Sequence, residues 1–156
     1  MRISAAMFLL LLHVVASALL CDRTSGSSPT TPFDQYGAIL WEHEKARLDN
    51  FAIQLQNEEN LIGYILVFDR TGGCAGEAKA RSMRAKRYVV EHRGIPWNRV
   101  IWRREGYDSS INTTLLLAPR GAIVPFPYRS PAVVASDGPA TRACIAKLGR
   151  IKRSRW

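Results

Sequence analysis

The sequence predicts an α+β domain: a two-layer sandwich in which a mixed sheet carries two helices on one face, in the order β-α-β-α-β-β. Three observations predict it. Leu61–Phe68 is a near-continuous apolar run of strand length, rich in β-branched and aromatic residues, which suits a central strand covered on both faces. Amphipathic stretches of helical length lie on either side of it. Two more strand-like runs, Arg99–Arg103 and Thr113–Ala118, close the set.

Gly37–Trp41 reads as a short first strand. Glu42–Asn57 reads as a helix, because Leu48, Phe51, Ala52 and Leu55 recur at i, i+3, i+4 and i+7. After the central strand, a second helix covers roughly Ala75–Arg93, with Ala78, Ala85, Tyr88 and Val89 placed to face the sheet. Gly94 ends it at the left-handed cap position, Ile95 supplies the hydrophobic contact, and Pro96 forbids continuation. The parallel crossovers this order implies are expected to be right-handed.

The flanks have a different character. Met1–Ala18 reads as a secretory signal: Arg2 is the positive n-region, Met7–Val15 the apolar h-region, and Ala16-Ser17-Ala18 a small-x-small cleavage site. A membrane span wants about 20 predominantly apolar residues, and the run from Ile3 to Leu20 is broken by Ser4, His13 and Ser17. Leu19-Leu20-Cys21 also has the outline of a lipoprotein signal, with a bulky Leu20 where a small residue belongs, so Cys21 is a candidate lipidation site. Residues 19–32 are rich in Ser, Thr, Gly and Pro and read as a flexible linker. Residues 120–156 read as a basic, Pro-containing, largely irregular tail, with a short helix allowed over Ala140–Leu148.

The formal charge of +9 is unevenly placed. Phe33–Pro119 holds 12 Lys/Arg against 11 Asp/Glu, whereas Arg120–Trp156 holds 8 against Asp137 alone. The basic excess therefore belongs to the tail, and no specific nucleic-acid partner is expected. The tail's expected partners are anionic lipid headgroups, lipopolysaccharide or acidic polymer. Cys21, Cys74 and Cys144 leave one odd thiol under any intramolecular pairing, and the bland reading of isolated cysteines and solvent-facing His43 and His92 is preferred. No Cys/His cluster has ligand spacing, no nucleophile elbow is present, and no metal, cofactor or catalytic residue is assigned.

Within Phe33–Pro119 three pieces occur in order: Asp69-Arg70-Thr71-Gly72 after the central strand, Arg84-Ala85 on the next helix, and Gly94-Ile95-Pro96-x-x-Arg99-Val100 at its exit. This resembles the OmpA-like peptidoglycan-binding family, in which an Asp and an Arg stand fifteen residues apart, as Asp69 and Arg84 do here. The resemblance implies an OmpA-like fold that is exported to the periplasm or outer membrane. It also implies non-covalent binding of peptidoglycan through the diaminopimelate of its stem peptide. By position, Asp69 would accept from the diaminopimelate ammonium and Arg84 would clamp its carboxylate with two parallel donors. Gly72 would let the loop approach the ligand, and amides near Gly73–Gly76 would add positive potential.

The chain departs from the family pattern at Phe68, at Glu77, and at Ala80-Arg81. Glu77 either sits beside the ligand's ammonium or pairs internally with Arg84, and Arg81 is a competitor for Asp69. These departures motivate a second reading: a degenerate OmpA-like domain serving as a protein-interaction scaffold.

Overall fold

The structure, a computed structural model, describes residues 32–124 and 141–153. The signal, Cys21, nearly all of the linker, and much of the tail, including Trp156, lie outside the described residues. The elements are β1 (Asp34–Tyr36), α1 (Trp41–Asn57), β2 (Leu61–Arg70), α2 (Glu77–Arg87), β3 (Val100–Asp108), β4 (Asn112–Pro119) and α3 (Arg142–Arg153). The protein is α+β, with a four-stranded mixed sheet in the order β1-β4-β2-β3. The β2–β3 pair is parallel, and β4 runs antiparallel to both β2 and β1.

Alternation along β2 sorts its side chains. Ile65 and Val67 face α1 and α2 and pack with Leu48, Phe51, Leu55, Ala85, Val89 and Leu115. Leu66 points the other way and clusters with Leu116, Ala118 and Val124. Both faces of β2 are thus buried, as its unbroken apolar run requires. A Cβ added at Gly63 would stand 2.6 Å from the Phe51 ring, so α1 crosses β2 where the strand has no side chain.

Several boundaries differ from the sequence expectation, each for a local reason. The first strand is Asp34–Tyr36 and not Gly37–Trp41. Tyr36 is the residue that turns inward beneath α1, while Leu40 is 70% exposed and its carbonyl already accepts the Glu44 amide at 3.0 Å. Ile39–Trp41 therefore lead into a helix. The second helix starts at Glu77, because Gly72 and Gly76 take φ of 67° and 79°. At its far end the helix widens over Tyr88–His92, where the Tyr88 carbonyl accepts from the Arg93 amide five residues on. Tyr88 is anchored there by an edge contact with Trp41 and by its hydroxyl, which donates to Asp49 at 2.6 Å. Gly94 takes φ 74°, the left-handed turn that Pro96 follows.

The largest difference is at the C-terminal end. The allowed helix of Ala140–Leu148 is instead Arg142–Arg153, carrying much of the basic segment with it. Cys144, Lys147, Leu148 and Ile151 fall at i, i+3, i+4 and i+7, and this stripe turns inward, with Ile151 6% exposed. Arg150, Lys152 and Arg153 then occupy the last turn, where cations complement the helix dipole. Cys74 and Cys144 form a disulfide with Cα atoms 5.3 Å apart, which corrects the reading of isolated cysteines and pins α3 beside the start of α2.

Candidate functional site

Asp69 stands near the end of β2, where a bulge offsets the strand from β3 between Val67 and Asp69. Gly106 takes φ 114° within that bulge. Asp69 is 3% exposed. Its Oδ1 accepts the Ala78 amide at 2.9 Å, and its Oδ2 lies 2.6 Å from Arg104 Nε. Arg104 in turn donates to the Tyr107 hydroxyl at 2.6 Å and lies over that ring. The N-cap position of α2 is Gly76, which has no side chain to cap with. Asp69 performs that service from the neighbouring strand. The helix terminus that sequence reasoning offered to a ligand carboxylate thus already holds one of the protein's own.

Arg84 lies elsewhere in its contacts. Its guanidinium donates to Glu44 on α1 and stacks 4.1 Å above the Trp41 ring. The other carboxylate oxygen of Glu44 accepts the Tyr36 hydroxyl at 3.3 Å. Burial pushes the Glu44 carboxyl above its ordinary range, against the opposing pull of Arg84, and burial likewise lowers Arg84. Sequence reasoning did not single out Glu44. The available signal was its phase, since Glu44 precedes Leu48 by one helical turn on the same apolar stripe.

Glu77 resolves neither of the ways expected. Its two oxygens take Arg81 at 3.0 Å and Lys147 of α3 at 2.7 Å, so it ties α3 to α2. Arg81 is accordingly directed to Glu77. Burial raises the Glu77 carboxyl, but its bonds with Lys147 and Arg81 outweigh that and hold it below the usual value of 4.5. A carboxyl depressed in the folded state contributes its full stabilisation above the ordinary value and loses it as pH falls through the folded one. Protection of the amides of residues 142–153, taken as the exchange rate relative to the unstructured rate at the same pH, should therefore change little between about pH 7 and 5 and fall below about pH 4.5, and Glu77→Gln should abolish that step. Gly72 is exposed with φ 67°, and a Cβ there would meet nothing within 4 Å, so the turn needs glycine for its backbone angle alone.

Arg84 also lines a hollow of about 470 Å³ between α2 and α3. Lys79, Arg87 and Lys152 share its wall with Gly76, and Ala75, Ala80, Met83 and Leu148 supply the apolar part. No carboxylate is among these lining residues, nor is Asp69. The structure thus separates the two residues that sequence reasoning set around one ligand: Arg84 lines a cationic hollow, and Asp69 belongs to a cap with Arg104. Chemically, such a hollow suits an anionic group presented with an apolar flank. Among the described residues, no group of three or more His, Cys, Asp or Glu is placed to hold a metal, and no helix is long and apolar enough to cross a membrane. Comparison of the chain with family models, curated proteins and solved structures finds no match.

Proposed function

We propose that this chain is an exported, OmpA-like envelope protein that holds peptidoglycan non-covalently, seating a stem-peptide carboxylate such as that of diaminopimelate in the hollow beside Arg84. The observation that carries the reading is the hollow itself. Its cations come from two helices, Arg84 is fixed in place by Glu44 and Trp41, and the lining includes no acidic residue. A guanidinium whose position the fold already fixes adds positive potential to the hollow with little further ordering. The β-α-β-α-β-β order preceding α3 and the mixed sheet are compatible with an OmpA-like domain. The cystine supports export, because disulfides persist in oxidising compartments. In this reading the module binds and does not catalyse. Asp69 acts through the fold, by setting the start of α2.

A second reading, a degenerate domain acting as an interaction scaffold with basic segments against anionic polymer or lipid headgroups, draws on a specific observation. Asp69 and Arg84 are both buried in internal ion pairs. Co-sedimentation of the full chain with purified sacculi separates the two. Because Arg84 is tied into the core, the decisive variant is Lys79→Glu/Arg87→Glu, which reverses two exposed charges at the rim. The peptidoglycan reading expects wild type to pellet and the variant to bind about tenfold or more weakly. Equal pelleting, or none by wild type, supports the scaffold.

A further inference from the structure

The hollow is built from two pieces of chain joined by three kinds of contact. One wall is α2. The other is α3, which contributes Leu148 and Lys152. The described contacts that hold α3 there are the Cys74–Cys144 bond, the Glu77–Lys147 ion pair and the inward-turned face ending in Ile151. The opposite face carries Ile145 at 63% exposure. A helix of twelve residues is marginal on its own in water, because nucleation is costly and few turns offset it. Its persistence depends on docking. Cys74 and Cys144 are only partly buried, so the bond lies near the surface of the fold.

We propose that Cys74–Cys144 is a redox latch on the hollow: reduction releases α3, removes the Leu148–Lys152 wall, and with it the affinity for the anionic ligand. The reductant is a dithiol. It supplies two electrons and two protons, the Sγ–Sγ bond breaks to give two cysteine thiols, and the dithiol closes to its own disulfide. Without the covalent tie, α3 keeps only non-covalent contacts, among them Glu77–Lys147 and the short apolar stripe. Release removes a cation from the rim and opens the apolar flank to water. The protein then grips its ligand where disulfides persist and lets go where dithiols act.

The latch rests on the reading of the hollow as a peptidoglycan site, so two quantities are followed in one experiment. The oxidised full chain and the same chain kept in excess dithiothreitol are titrated with the tripeptide L-Ala-γ-D-Glu-meso-diaminopimelate by calorimetry. Amide exchange over residues 142–153 is followed in parallel, and Cys74→Ser/Cys144→Ser repeats the reduced arm without reductant. The expected result is binding by the oxidised protein, about tenfold or more weaker binding after reduction, and faster exchange confined to α3. Equal affinity in both states overturns the latch, whether or not α3 is released. Failure of the oxidised protein to bind, with α3 still released on reduction, overturns the proposal through the peptidoglycan reading beneath it.

Discussion

Arg84→Met is expected to lose about 3–5 kcal/mol of stability at neutral pH, because it strands a buried carboxylate. The Glu44 side chain is 2% exposed, so solvent does not replace the cation it loses. In the variant Glu44 keeps the Tyr36 hydroxyl and loses its cation. Burial already raises the Glu44 carboxyl, and removal of Arg84 raises it further. A carboxyl whose folded-state value lies above its unfolded one opposes folding when ionised, and that opposition disappears as pH falls through the folded value. The deficit of Arg84→Met should therefore shrink between about pH 7 and 5, measured by urea unfolding. Glu44→Leu/Arg84→Met, which removes both charges, should recover most of the loss. A deficit independent of pH, or a double variant worse than the sum of its singles, contradicts this account of the pair.

Arg99→Ala is expected to lose on the order of 3 kcal/mol. The Arg99 side chain spans the exit of α1 and the start of β2. Its Nη2 donates to the carbonyls of Leu55 and Glu58 at 2.7 Å, and its Nε to that of Leu61 at 3.1 Å. Arg99 is 8% exposed, so truncation leaves main-chain acceptors without the donors that water would otherwise supply. Arg99→Lys should recover only part of the loss, because an ammonium cannot present the planar fork that meets three carbonyls at once. Urea unfolding of the two variants checks both magnitude and order. Equal stability of Arg99→Lys and wild type would show that the fork is dispensable.

Arg99 also shows what the sequence made legible. The spacing from Gly94 through Pro96 to Arg99 marked a helix exit, and the structure bends there, with Gly94 left-handed. The stripe of Leu48, Phe51, Ala52 and Leu55 and the apolar run of β2 predicted the core, since periodicity is a local property that burial enforces. Contacts between distant segments were not legible. Glu44 meets Arg84 across forty residues, and Cys74 meets Cys144 across seventy. Nothing in a list of charges says which cation a buried carboxylate will find. Asp69 illustrates the cost. Its place near a strand's end was correctly read, but Arg104 and the Ala78 amide claim it, and both depend on the bulge at Gly106 and the glycine at the head of α2. The extent of α3 was hidden because an isolated twelve-residue stripe is a weak signal until Cys144 and Lys147 are seen to dock it.

In the proposed function an ionised carboxylate enters the hollow lined by Lys79, Arg84, Arg87 and Lys152. Calorimetry on the oxidised full chain addresses it directly, comparing the tripeptide L-Ala-γ-D-Glu-meso-diaminopimelate with the same peptide whose carboxylates have been converted to amides. The predicted result is saturable binding of the free acid that weakens with added salt, and a loss of about tenfold or more on amidation. Equal binding of the two peptides, or no binding of either, contradicts the carboxylate site.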